Sequence, residues 1–425
     1  MEGGKTVYES VVKNVRFIDC HSLFHIGINN GKIASITMEE IQGDTEWKAG
    51  GGLALPPFVE MHTHLDTVLT SGKDLKNRSG TLMEGIELWQ ARKAELTYED
   101  VIERAEKAIK LLIQHGVLYV RAAVDISDPK LTALKAIITL RSKVKHLIDI
   151  QIIAFPQEGI ISCQENKDRL VKAIELGADA VSAVPQLEHT RENGIKSLQE
   201  CFAIAEHYGS FVHIFSDEVD DEHSRFLEVI ADLTLNNKME GRVTVSHANA
   251  MAYYADSYAA KVMSLLKKAN ITVVSCPLIN CMMQGRFDRH PKGRGITRIK
   301  ELNDANVNVC IAHDDIQSPF YPFGNGNIIQ AAHMGAHLAH MSGEMERKHI
   351  LNMITRNGAK AFGLNDDYGI EVGKRANLII FPVDNIVDLL SKQTACRYVI
   401  RDGKLIVETK PSEPIWYKKS LIASN

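Results

Sequence analysis

The sequence predicts an α/β fold: a (β/α)8 TIM barrel with a small β-sandwich made from both chain ends. Three observations carry this. From about residue 50 short β-branched runs alternate with longer amphipathic segments, as in a parallel sheet covered by helices. Those runs number eight, the count of a closed (β/α)8 barrel. The flanks, residues 5–50 and about 368–412, instead show short alternating strands between Gly, Asn and Asp turns.

In chain order the first flank holds SVVKNVRFID and GKIASITM. The barrel strand candidates follow as LALPPFVEMHTH, VLYVRAAVDI, LIDIQIIAF, ADAVSAV, FVHIF, RVTVSH, ITVVSC and VNVCIAHDD. Between the first two lies TYEDVIERAEKAIKLLIQHG, a helix with Thr97 as N-cap and Gly116 as stop. Its apolar stripe is Val101, Ala105, Ala108, Leu111 and Leu112. RANLIIFPV and CRYVIRDGKLIVE supply the closing flank. The expected division is 1–55 for the first part of the sandwich, 56–367 for the barrel, and 368–425 for the second part and a C-terminal tail.

The 425 residues are 45% hydrophobic and 24% charged, an ordinary globular composition. A net charge of -4 offers no basic field for a polyanion, which argues against nucleic acid and for a small-molecule substrate. Seven cysteines without a CxxC pair suit a reducing compartment. No signal core or membrane-length apolar run occurs, so the expectation is a soluble cytoplasmic protein.

Residues at the C-terminal ends of barrel strands face the active-site mouth. His62 and His64 lie at i and i+2 on the first strand, about 6.6 Å apart along the backbone, and both imidazoles can close on one cation. Two strand-end histidines making hydrogen bonds would look the same; their place on the first strand favours the metal. Asp314, ending the eighth strand, brings a hard anionic ligand and base, and Asp315 an acceptor for a substrate N–H. Glu218, after the fifth strand, is placed to take a proton from water and pass it to a ring nitrogen or leaving amine. Alternatively, its acidic run is solvated loop. His247 ends the sixth strand, either orienting water or as a satisfied core histidine. Gln157 offers a donor and an acceptor together, as recognition of a lactam or ureide edge requires. His333, His337 and His340 imitate the spacing of HExxH, but Met334 occupies the Glu position, and a helix after the eighth strand packs outside the barrel.

The motifs PPFVEMHTHLD, SGTLMEGIELW, AFPQEGI, SDEVDDEHSRF, VTVSHANAM, QGRFDRHPKGRGITR and HDD, in strand order, resemble bacterial cytosine deaminases of the amidohydrolase superfamily, a group shared with creatinine and isoguanine deaminases. The likeness runs over nearly the whole chain. It implies one divalent zinc or iron ion, with manganese equally suited to the donors, on His62, His64 and Asp314. It also implies Glu218 as proton shuttle, His247 beside the water, Gln157 and Asp315 on the pyrimidine, and a homo-oligomer. The segment ADAVSAVPQLEHTREN lacks the lysine that binuclear relatives carboxylate, which favours one metal. The HxE and PCxxC signature of the other zinc deaminases is absent.

Two positions depart from the family pattern. Phe215 stands where the family has a metal histidine, and Phe320 where it has a tryptophan beside the substrate. Either His213, one layer deeper, or His247 or water then completes the metal shell. The expected reaction is hydrolysis of a C–N bond in a cyclic amidine, with cytosine to uracil as reference. Creatinine to N-methylhydantoin is the rival substrate, and an inert binding protein without metal the alternative of another class.

Overall fold

The computed structural model describes residues 7–72, 75–364 and 366–410. The expected C-terminal tail beyond 410 and the first six residues of the expected sandwich segment lie outside the described residues. The chain opens with β1 (Val7–Val15), β2 (Phe24–Asn29), β3 (Lys32–Thr37) and β4 (Gln42–Lys48), which form one sheet in the order β3-β2-β1-β4. The β2–β3 hairpin turns on Asn30 and Gly31, both at positive φ (51° and 70°), the conformation a two-residue type I′ turn needs.

The first strand candidate divides in two. Pro56 and Pro57 interrupt LALPPFVEMHTH, leaving β5 (Leu53–Leu55) to the flanking sheet and β6 (Phe58–Thr63) to the barrel. Neither proline has an N–H for a ladder, so the break falls there. The barrel continues through β7 (Val117–Asp125), β8 (Asp149–Phe155), β9 (Ala180–Val181), β10 (Phe211–Ser216), β11 (Val243–His247), β12 (Thr272–Ser275) and β13 (Asn308–Ile311), each parallel to its neighbour. Hydrogen bonds at the strand ends join β13 back to β6. Asp314 N–H donates to the His62 carbonyl at 3.1 Å, and Thr63 Oγ1 donates to the Asp314 carbonyl at 2.8 Å. This joint lies among the predicted metal ligands.

After the barrel, β14 (Leu378–Phe381), β15 (Tyr398–Arg401) and β16 (Lys404–Glu408) pair with β5 in the order β16-β15-β14-β5. Alternate residues of β14 face opposite ways. Leu378 and Ile380 join Val12, Ile26 and Ile28 of the first sheet in a separate core, whereas Ile379 and Phe381 pack into the barrel core. Burial on both faces explains why LIIF is continuously apolar.

The helix Tyr98–Gln114 is capped by Thr97, whose side chain accepts from the Asp100 N–H, and the chain leaves it through Gly116 at φ 89°. Its buried stripe includes Ile109 and Ile113, while Leu111 is only half-buried, a small rotation from the expected face.

Candidate active site

At the mouth of the barrel, Asp217 (φ 54°), His247 (69°) and Asp314 (69°) have left-handed backbone at or just beyond their strand ends. Each carries a strain cost of about 1 kcal/mol that surrounding bonds must hold. Asp217 shows how. Its carboxylate accepts from Ser224 Oγ at 2.6 Å and from the N–H groups of Phe226 and Leu227 at 3.1 Å. The loop is thereby tied down, and Glu218 turns into a cleft also lined by His64, Phe155, Gln157, Phe215, His247, Asp314, Asp315 and Phe320. The solvated-loop alternative does not describe Glu218, whose side chain is 11% exposed.

The predicted ligands meet. His62 Nε2 lies 3.7 Å from Asp314 Oδ2, and His64 Nε2 lies 3.8 Å from Asp314 Oδ1. These separations exceed direct hydrogen bonds. Among the described residues, His62 Nε2, His247 Nε2 and both Asp314 carboxylate oxygens are buried without a hydrogen-bond partner. Unsatisfied buried polar atoms are costly, and here they converge. Burial, with Asp315 and Glu218 nearby, pushes the Asp314 carboxyl well above the usual carboxylate range. Burial likewise holds the His62 imidazole neutral and pushes His247 down to about 3. Neutral imidazoles and an uncompensated carboxylate are what a divalent cation requires, so the donor set fits one.

Around this cluster other groups orient the rings. His213 Nε2 is 3.0 Å from His62 Nδ1, so His213 fixes the ring from behind and leaves Nε2 facing the cluster. The expected completing role of His213 would have to come from its other nitrogen, Nδ1, since its Nε2 faces His62. Asn280 Nδ2 lies 3.2 Å from His247 Nδ1; with the amide donating, the neutral ring carries its proton on Nε2. Asp315 accepts from Thr67 Oγ1 at 3.2 Å. Glu218 Oε1 is 3.6 Å from His247 Nδ1, and burial plus Asp315 push its carboxyl up to about 8.

Phe215 provides an apolar wall. Its ring stacks on Phe155 with centroids 4.1 Å apart, and it lies 4.6 Å from the His62 ring. Inward residues Ala123, Ile153, Ala180 and Val184 complete the same cluster. The histidines at 333, 337 and 340 sit on or just beyond the helix Ile328–Leu338, where His333 Nδ1 meets the Leu390 carbonyl and His337 Nδ1 the His333 carbonyl.

Sequence reasoning missed Glu60, Asn280 and Cys276. Glu60 is buried and accepts from the His62 and His313 N–H groups at 3.1 and 2.9 Å. Its signal was a charge inside the otherwise apolar FVEM. Cys276 follows β12 and lies with His62, His247 and Asp314 in a donor group whose atoms are all within 4.8 Å of one another. Its signal was a cysteine at the end of ITVVSC.

A parallel eight-stranded barrel with a buried donor cluster at its C-terminal strand ends defines a metal-dependent hydrolase of carbon–nitrogen bonds. The chain belongs to the amidohydrolase family, whose sequence profile matches residues 47–407. It is 30% identical over 417 residues to the N-isopropylammelide isopropyl amidohydrolase of Pseudomonas sp. (strain ADP), covering 94% of this chain and 98% of that protein. A pterin deaminase of Rhizobium rhizogenes is 27% identical over 367 residues, covering 85% of this chain and 82% of that protein. The crystal structure of 5-methylcytosine deaminase from Klebsiella pneumoniae liganded with 5-fluorocytosine superposes with a TM-score of 0.92 at 42% identity, covering 96% of this chain and 99% of that one. Among the described residues no helix is long and apolar enough to cross a membrane.

Proposed function

We propose that the enzyme removes the exocyclic amine of a cytosine-type ring as ammonia, leaving a carbonyl, with cytosine and 5-methylcytosine as its substrates. The observation that carries this reading is the Glu218 carboxyl beside His247 and Asp315 in one cleft, walled by Phe215 and Phe155. The likeness to the Klebsiella enzyme supports the choice of ring.

Gln157 presents a donor and an acceptor to the amide edge of the pyrimidine. Asp315, steadied by Thr67, accepts a ring or amine N–H. The aromatic wall takes the ring face and has apolar surface for a 5-methyl group. His62, His64 and Asp314 would hold a divalent ion, which would supply the Lewis acidity that makes water nucleophilic near neutral pH. Glu218, in its ionised form, accepts the proton that water loses and delivers it to the ring nitrogen next to the attacked carbon. His247 Nε2–H then stabilises the oxygen added to the ring. The C–N bond breaks and ammonia departs with the second proton.

Protein loaded with zinc, iron or manganese, offered cytosine, 5-methylcytosine, creatinine and isoguanine, is expected to release ammonia from the two cytosines. Release from creatinine alone would move the reading to the five-membered ring. Silence on all four with metal bound would overturn it. Elemental analysis showing no bound metal would support the inert scaffold instead.

A further inference from the structure

Phe215 leaves the fifth barrel strand without a donor at the level where the donor atoms gather. Its neighbours narrow what can stand in. His213 Nε2 faces His62 Nδ1, and His247 Nδ1 faces the Asn280 amide, which with its N–H donating puts the ring proton on Nε2. Cys276 remains. It is fully buried just past β12, and its Sγ lies within 4.8 Å of donor atoms of His62, His247 and Asp314. A cysteine present only for packing needs apolar neighbours, whereas this thiol lies against the buried Asp314 carboxylate.

We propose that Cys276 is a ligand of the divalent ion, its thiolate standing in for the donor that Phe215 withholds. The assignment rests on the metal-dependent reading above and adds the identity of the donor. Thiolate and Asp314 carboxylate together balance two positive charges, and binding releases the thiol proton to solvent. A soft sulfur donor favours zinc over manganese or magnesium.

X-ray absorption of the zinc-loaded protein is expected to show a sulfur neighbour at about 2.3 Å. The cobalt-substituted protein should likewise show a thiolate-to-cobalt charge-transfer band in the near ultraviolet. Both signals should disappear in Cys276→Ser, with at least about a tenfold loss of zinc affinity. Both should persist in Cys310→Ser, a buried cysteine on β13 outside the donor group. If Cys276→Ser fails to fold, the wild-type and Cys310→Ser spectra still decide the matter. A zinc-loaded wild type that releases ammonia but shows only nitrogen and oxygen neighbours would overturn the Cys276 assignment and leave the deaminase reading standing. A wild type that binds no metal would overturn both.

Discussion

Two ends of the same barrel bury polar side chains in opposite ways. Near the N-terminal ends of the strands, Arg121 on β7 is fully buried and fully used: Nε and Nη2 donate to Gln151 Oε1 at 2.9 and 2.7 Å, Nη1 to Thr244 Oγ1 at 3.0 Å, and Nη2 also to the Ala361 carbonyl at 2.9 Å. Gln151 in turn donates to the Phe362 carbonyl at 2.9 Å. At the other end His62, His247 and Asp314 keep buried atoms without partners. A satisfied network holds a fold together, while an unsatisfied one is poised for something that is still to bind.

Breaking the mouth should affect chemistry first. Glu218→Gln is expected to lower turnover by roughly 10²–10⁴-fold with ligand affinity largely kept, read by ammonia release and by titration with 5-methylcytosine. Unchanged turnover would remove Glu218 from the reaction.

Breaking the opposite end should affect folding instead. Arg121→Met leaves the Gln151, Thr244 and Ala361 acceptors unpaired, and denaturant unfolding should show a loss of about 3 kcal/mol. A neutral result would mean that the network is dispensable and that the contrast between the ends fails.

The pH dependence of stability sharpens the same contrast. The Glu218 carboxyl, raised from 4.5 to about 8 in the fold, keeps a proton that the unfolded chain releases above about pH 4.5. Its contribution is therefore fully present below that pH and is lost as pH rises toward 8. Metal-free wild type should lose up to about 2 kcal/mol more than Glu218→Gln between pH 5 and 7. Parallel profiles would show that Glu218 ionises normally.

Orienting groups come next: Asn280→Ala should cost about tenfold in turnover by freeing the His247 ring, without loss of bound metal. The smallest effect belongs to His337→Ala, outside the barrel, where activity and metal content should not change and stability should stay within about 0.5 kcal/mol.

The eight barrel strands, and β1, β3, β14, β15 and β16 of the flanking sheets, were legible because each rests on local chemistry: period-two alternation, β-branched runs, and turns such as Asn30-Gly31; β2 and β4 stood outside the strand candidates. His62, His64, Glu218, His247 and Asp314 were legible as strand-end polar residues, since the barrel sends such positions to one mouth. LALPPFVEMHTH reads as one strand, and its division at Pro56–Pro57 depended on β14, whose residues pair with Leu53–Leu55 from more than three hundred positions later.

By itself, then, the sequence determined the barrel, its strand order, and the supply of imidazoles and carboxylates at one end. Tertiary structure alone decided how they are used. Period and spacing say which face a side chain takes, not which atom of a ring meets another strand. His213 was one layer too deep on paper and proves to hold the back of His62; Cys276, ordinary as the last residue of an apolar run, lies among the donor atoms. Both outcomes depend on strands β6, β10, β11, β12 and β13 curving toward a common axis, and that curvature arises only when the sheet closes.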